Sequence, residues 1–460
     1  MMPAQKPPTF LDRFLNLFAD VRSGEGLTAV LLTFNVFLVL MAYYMAKVVR
    51  EPLILVGGGA EVKSYAGAGQ ALLLVAAVKL YAWLAGRYSR KQLITAVNVF
   101  FAGNLAVFYL LALTNIPYLG VAFFLWVGMF NVMVVAQFWS FANDLYTPDE
   151  GKRLFAIVAF GSNAGAVVGS FAAGRLISFL QTHHLGGSTQ SAVYPLLLVA
   201  AGVLLVSLVV THIVDRRERH RLATRGAKKT PVAEKPIGKG DAFKLVFKHR
   251  YLLMIGGLVL LLNWVNTTGE FILGATVEET AKSVTSDPNA QKDFVGQFYA
   301  NFFTGVNLAA MFLQLFLVSR ILKYLGIRVA LLILPVIALG GYFILAFYPL
   351  LTMVRWAKTA ENATDYSLNN TVRHALFLPT SREEKYQAKQ AIDSFFHRSG
   401  DVLQALLVFV GLNFFGFHTR EFALVNVGLV LVWLGLAFQI GLENQRLVAR
   451  RQAERVEPSA

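Results

Sequence analysis

Arg355, Lys358, Asn362, Asp365, Asn369 and Arg373 recur every three or four residues through the stretch 350–378. That spacing puts all six on one face of an α-helix. From Arg355 to Arg373 the rise is roughly 27 Å, close to the hydrocarbon thickness of a bilayer. Three cations, an acid and two amides in such a line can hold a multiply charged anion. The guanidinium groups suit bidentate contact with phosphate or carboxylate, and the ammonium acts as a point charge. Each charge at the centre of a membrane helix costs on the order of 3 kcal/mol, so a water-filled path is the expected surrounding for the stripe. A second arrangement fits the same spacing. In it Arg355 and Lys358 snorkel outward and Arg373 inward, and only Asn362, Asp365 and Asn369 stay near the middle.

A second set interrupts the apolar run YYMAKVVREPLILVGGGAEV, where Lys47, Arg50 and Glu51 precede the apolar residues Leu53, Ile54, Leu55 and Val56. Lys47 and Arg50 share a helix face and can grip a dianion, with Glu51 neutralising Arg50 when no ligand is bound. A structural ion pair at the outer rim is the plainer alternative. Glu270, in NWVNTTGEFILG, is in helical register with Asn263 and with Asn266 or Thr267. A buried acid there can balance cavity cations, bind a ribose hydroxyl or carry a coupling proton; its plainer role is counter-ion to Arg373 or Lys47. Lys79 lies roughly 12 Å along its helix from a basic loop, which suits snorkelling as well as a site, and Arg175 reads as a snorkel. The small residues of GSNAGAVVGSFAAG (161–174) fit close helix packing. Trp139, Trp264, Trp356 and Tyr366 fit belt or packing positions better than base-stacking platforms.

Such residues need helices that cross a membrane to position them. Long apolar segments fall at 27–49, 67–88, 92–113, 116–142, 154–181, 192–213, 251–275, 295–322, 327–348, 350–378, 396–417 and 421–444. The expected fold is therefore an all-α membrane protein with twelve transmembrane helices in two six-helix pseudo-repeat halves. The halves cover 27–213 and 251–444, joined by a basic linker at 214–250. They are flanked by a tail at 1–26, whose residues 10–18 form an interfacial helix, and a tail at 445–460. Composition agrees: of 460 residues 56% are hydrophobic and 15% charged, with a mean hydropathy of +0.55. Soluble domains are roughly a quarter charged, so a soluble enzyme is excluded.

The net charge of +15 follows from topology. If the N-terminus is cytoplasmic, 31 of the 42 basic residues lie in inner loops and tails and at most five lie outside, which places both termini in the cytoplasm of an inner (plasma) membrane protein. The linker, with twelve basic and four acidic residues, reads as a solvated segment, and nucleic acid is not an expected partner. The first 25 residues lack the order of a secretory signal, so the first span is expected to be retained. The absence of cysteine excludes disulfides and thiolate metal sites. No P-loop, HExxH, GxSxG or HxxxxD motif occurs, and His183 and His184 have no third ligand nearby, so neither an enzyme nor a metal or other cofactor is expected. Without an ATPase domain, uphill transport must draw on a coupled gradient.

The two halves echo one another. GRYSRKQLI after the second span has its counterpart in SRILKYLGIRVALLI after the eighth, and LYTPDEGKRLFAIVAFGSNAG after the fourth has its counterpart in LPTSREEKYQAKQAIDSFFHRSG after the tenth. This looks like the major facilitator architecture, which implies a substrate site near the bilayer midplane between the halves. VVREPLILVGGGAEV, FWSFANDLYTPDEGKRLFAIVAFGSNAG and DYSLNNTVRHALFLPTSREEK resemble the ATP:ADP antiporter family of plastids and obligate intracellular bacteria. The resemblance implies one-for-one nucleotide exchange by alternating access. By motif position it implies phosphate-binding roles for Arg50 and Arg373 and a functional seventh-span acid at Glu270. The family usually has lysine where Arg50 and Arg373 stand, a basic residue at Asp365 and an acid at His374, and its fourth-span glutamate has no match here. The expected ligand is a nucleotide or other phosphorylated anion, in contact with membrane lipids and without an obligate protein partner. Arg50, Arg373, Lys47 and Lys358 would take phosphate oxygens, and Glu270 and Asp365 would restrain the cations between substrates. Two alternatives stay open: a proton-coupled carrier of another organic anion with Glu270 as the proton site, and a non-transporting scaffold or sensor acting through its basic linker.

Overall fold

The computed structural model describes residues 10, 15–16, 20–22, 25–114, 116–183, 190–225, 242–381 and 388–456, and every regular element among them is helical. In chain order these are α1 (Gly26–Arg87), α2 (Arg90–Ala112), α3 (Leu119–Leu145), α4 (Pro148–Thr182), α5 (Pro195–Arg225) and α6 (Ala242–Lys248). They continue with α7 (Arg250–Val284), α8 (Pro288–Phe316), α9 (Val318–Tyr324), α10 (Gly326–Phe347), α11 (351–376), α12 (Lys389–Phe415) and α13 (Thr419–Val456). Of the expected interfacial helix, Phe10 is exposed and Leu15 buried, while Phe14, Leu17 and Phe18 lie outside the described residues. The stretch expected as a linker is helical at both ends, through Arg225 and from Ala242 to Lys248; 226–241 lie outside the described residues.

Nine described helices are long and apolar enough to cross a membrane, and a tenth crossing is α8 with α9, bent by 44°. Two more are concealed in that count. The 62 residues of α1 rise roughly 93 Å, about three hydrocarbon thicknesses, so α1 must cross twice. Its two crossings meet at Gly59, whose φ of 84° and ψ of 171° break the helix in a region that only glycine enters readily. The other is α11, whose polar residues hide an otherwise sufficient helix, and with it the crossings number the expected twelve. The first crossing runs beyond the expected end at 49, because Leu53, Ile54 and Leu55 are buried and the charges of Arg50 and Glu51 pair with each other.

Local chemistry sets the helix starts. Ser89 accepts from the Gln92 backbone while the Gln92 side chain accepts from the Ser89 backbone, and Thr147 and Glu150 repeat this capping box ahead of Pro148. Close packing of α4 on α1 is sequence-determined as well. A Cβ on Gly161, Gly165 or Gly169 would run into the backbone carbonyls of Thr33, Phe37 and Met41 respectively, so the glycine-rich stripe lets the two backbones touch.

The described residues divide into two compact units. The first comprises Met1–Gly57, Leu72–Val232 and Thr285–Thr304, and the second Gly58–Ala71, Ala233–Val284 and Gly305–Ala460. Basic residues expected only to orient the chain also hold the first unit together. Arg153 binds the Glu25 carboxylate through both terminal nitrogens, at 3.0 and 3.1 Å. Arg90 binds Asp215 at 2.8 Å and Asp144 at 3.4 Å, tying α2 to α5 and α3.

Candidate functional site

In the second unit α11 packs against α7 and α10, and the contact is polar. Lys358 has no exposed side-chain surface. Its Nζ lies 3.1 Å from Glu361 Oε2, one helical turn on, and 2.8 Å from Asn266 Oδ1 on α7. The Tyr342 hydroxyl, from α10, donates to the same Glu361 oxygen at 2.7 Å. Glu270 Oε1 stands 3.8 Å from Lys358 Nζ and accepts from Asn362 Nδ2 at 3.0 Å, with 27% of its side chain exposed. Gly269 makes this assembly possible: a Cβ there would overlap the Tyr342 hydroxyl and lie 2.9 Å from Lys358 Nζ. A buried ammonium needs such partners, because desolvating a lone charge costs several kcal/mol.

The six polar residues of α11 do not form one straight stripe. Asp365–Asn369 is a turn of π-helix, and its extra residue rotates the helix after it by about 100° relative to the turns before. Lys358 and Asn362 therefore face α7. On the far side of that turn, Asn369 Nδ2 donates to Asp365 Oδ1 at 2.6 Å, and both Asp365 and Arg373 come within electrostatic reach of His397 on α12. Arg373 is half-buried, and its Nε is buried with no hydrogen-bond partner. Arg355, near the start of α11, has its guanidinium 5.9 Å from the Trp356 ring. Asn263 donates to Asp401 Oδ1 and to the His397 carbonyl, both at 2.7 Å.

In the first unit, Arg50 Nε donates to Glu51 Oε1 at 3.0 Å and its terminal nitrogen binds the same oxygen. Glu51 is 1% exposed. The Arg50 guanidinium lies 4.7 Å from the Phe124 ring, and Lys47 Nζ lies 4.3 Å from the Phe303 ring and 5.3 Å from the Tyr44 ring. Both cations thus sit in aromatic surroundings that stabilise positive charge. Lys79 is exposed among the exposed apolar residues Val75, Val78, Leu80 and Trp83, the setting of a snorkelling side chain.

The structure thus brings Glu270, Lys358 and Asn362 together in the second unit and Lys47, Arg50 and Glu51 onto one turn in the first, where Lys79 is exposed. Glu361 and Tyr342 were not singled out from sequence. Glu361 was open to detection as the acid three residues after Lys358, at ion-pair spacing; Tyr342 comes from another helix and carried no local signal.

The family model of the Major Facilitator Superfamily matches residues 26–363. ADP,ATP carrier protein 1 of Chlamydia trachomatis is 23% identical over 365 residues, covering 72% of this chain and 66% of that protein. ADP,ATP carrier protein 2, chloroplastic, of Arabidopsis thaliana is 23% identical over 356 residues, covering 71% of this chain and 54% of that protein. The chain thus spans between half and two thirds of these relatives' length, and their names are those of the carriers that the motifs resemble. Among solved structures, a mutant of nucleoside transporter NupG has a TM-score of 0.60 at 13% identity, covering 91% of this chain and 99% of that one. That likeness bears out the fold.

Proposed function

Because this chain belongs to the Major Facilitator Superfamily, we propose that it is a secondary transporter exchanging nucleotides, ATP- and ADP-like phosphorylated anions, across the membrane by alternating access. The observation that carries the reading is Arg373, a cation within a membrane span whose buried Nε has no hydrogen-bond partner, in a chain related to ADP,ATP carriers. An intramembrane guanidinium is costly to keep and suits a phosphate with its planar donor fork.

In this proposal Arg373 takes phosphate oxygens in the second unit and Arg50 does so in the first, where phosphate displaces Glu51 as the partner. Lys47 adds a point charge beside Arg50. Asn369 and Asp365 position the turn that carries Arg373, and Glu270 serves the ribose or the balance of charge. Lys358 is a structural cation here, since Glu361 and Asn266 already hold its ammonium. The distribution of basic residues supports an inner-membrane location with both termini in the cytoplasm. No cofactor is needed.

Exchange in place of one-way flux follows when an unoccupied site leaves cations that oppose reorientation and a returning nucleotide neutralises them. Proteoliposomes holding the purified protein test this. Uptake of labelled ATP should require nucleotide inside the vesicle, and equal uptake into empty vesicles would rule out obligate exchange.

A further inference from the structure

The basic residues around the loop at 86–92 divide by whether an acid holds them. Arg90 is bound to Asp215 and Asp144. Lys79 and Arg87 are exposed and have no acidic partner among the described residues. They stand eight residues apart on the second crossing of α1, a little over two helical turns, so they share a face. Trp83 lies midway between them, 51% exposed, and the Arg87 guanidinium is 4.2 Å from the centre of its ring. Leu72 and Val75, both exposed, continue the face away from the loop. Nothing comes within 4 Å of where a Cβ on Gly86 would stand, so the flank of Trp83 is open.

The two cations are not equally placed. Arg87 is in the last turn of α1, where the free helix carbonyls favour positive charge and the headgroup region is within reach. Lys79 is set back from it by roughly 12 Å, towards hydrocarbon. Side chains on a helix tilt towards its N-terminus, which here is away from the loop, so the Lys79 ammonium must reach against that tilt to meet water. A cation left in such a position without a counter-charge is costly to keep. A negative group supplied from the lipid side removes that cost.

Charge and apolarity together select the occupant. A soluble phosphate or nucleotide answers the cations but leaves Leu72, Val75 and Trp83 uncovered. A zwitterionic phospholipid covers the apolar residues, but its own cationic headgroup opposes Lys79 and Arg87. An anionic phospholipid meets both demands in one molecule. We propose that the face formed by Lys79, Trp83 and Arg87 binds an anionic phospholipid of the leaflet on the side of the 86–92 loop. Its phosphate lies between the two cations, its glycerol backbone is level with Trp83, and its acyl chains run along Val75 and Leu72. Tryptophan suits that depth because its ring is apolar and its N–H is a donor. The pairing also accounts for the different fates of neighbouring cations: Arg90 serves the protein's own acids, whereas Lys79 and Arg87 serve the membrane's.

Quenching of tryptophan fluorescence by brominated lipids, in liposomes holding the full chain, reads this contact. Six tryptophans contribute, and the emission lost in Trp83→Phe isolates the share of Trp83. Each cation near an anionic headgroup is worth about fivefold in affinity. Trp83 should therefore be half-quenched by brominated phosphatidylglycerol at a mole fraction on the order of twentyfold below that of brominated phosphatidylcholine. Lys79→Gln or Arg87→Gln alone should reduce the preference to about fivefold, and the two together should abolish it. Lys79→Arg with Arg87→Lys keeps both charges and should retain the preference, which separates loss of charge from loss of fold. Inorganic phosphate or ATP in the buffer, at fixed ionic strength, should leave the quenching unchanged. No preference in the unaltered chain, or one that persists in the double glutamine variant, overturns the proposal. So does relief of quenching by phosphate or ATP, since the ligand would then be a soluble anion. Quenching by neither lipid overturns it as well, since a second copy of the chain would then cover the face. The lipid preference is measured without nucleotide, so its outcome is independent of whether the exchange reading stands.

Discussion

Replacing Lys358 by methionine tests whether its charge serves the fold, as the geometry indicates, or the substrate. Methionine keeps most of the side-chain volume and removes the ammonium. Glu361, 4% exposed, then loses the partner at 3.1 Å and keeps only the Tyr342 hydroxyl at 2.7 Å. Breaking one member out of a buried ion pair costs about 3–5 kcal/mol. Adding Glu361→Gln removes the stranded charge, and a glutamine oxygen can still accept from Tyr342. What stays lost is mainly the bond from the ammonium to Asn266 at 2.8 Å, a charge-assisted bond of about 1.5–3 kcal/mol with its remaining partner part-solvated. The double variant should therefore recover about 2 kcal/mol over Lys358→Met, a factor near thirty in the folding equilibrium. Denaturant unfolding of the purified chain in micelles measures all four members of the cycle. If the two losses simply add, Lys358 and Glu361 are not a coupled buried pair. If Lys358→Met leaves stability unchanged and abolishes nucleotide binding instead, Lys358 belongs to the substrate site.

Three further outcomes follow from the same geometry. Gly165→Ala puts a methyl group into the Phe37 carbonyl and should destabilise by about 1–3 kcal/mol. Gly202→Ala, with nothing within 4 Å of the new Cβ, should be neutral or stabilising by up to about 1 kcal/mol, and unfolding midpoints compare the two. Under the exchange reading, Arg373→Ala should weaken ATP binding by about tenfold to a hundredfold, the worth of one or two charged hydrogen bonds, and Arg373→Lys should restore part of it in isothermal titration. Deleting 226–240 should leave nucleotide binding intact, because it spares the helical residue Glu218 and its 2.5 Å bond from Thr28; a loss of binding would point to the basic segment as the functional element.

Crossing helices were legible because a bilayer imposes length and apolarity on every one of them, and the polar α11 was legible because its spacing is helical. The glycine stripe could be read for a similar reason: a repeat of small residues has one packing use. The π-turn at Asp365–Asn369 was not legible, since nothing in DYSLN separates a wider turn from an α-turn, and that one residue decides which cations share a face. The Gly59 break lay within GGG, but it depends on tertiary support. Glu278 on α7 accepts from the Ala60 backbone at 2.8 Å and so caps the helix that resumes there. Arg50 with Glu51 was visible as neighbours, whereas Lys358 with Glu270 and Tyr342 required three helices to meet.

The intramembrane cations therefore divide by their partners more than by their position along a stripe. Lys358 is closed on all sides by an acid, an amide and a helix backbone, and a group so held can leave its site only by exposing Glu361. Arg373 is half-buried with an orphan Nε, so an incoming phosphate gains a charge-assisted bond there without breaking one. Arg50 is intermediate: its partner Glu51 is a carboxylate on the adjacent residue, and a phosphate competes with it for the same donor fork. A triply or quadruply charged anion wins that competition by Coulomb attraction where a doubly charged monophosphate does not. Discrimination between ATP- or ADP-like nucleotides and monophosphates would then arise at Arg50, while Arg373 contributes affinity to both. Replacing Glu51 by glutamine removes the competitor, so it should raise affinity for a monophosphate more than for ATP. Competition binding with AMP and ATP measures the ratio, and an unchanged ratio would refute this division of roles.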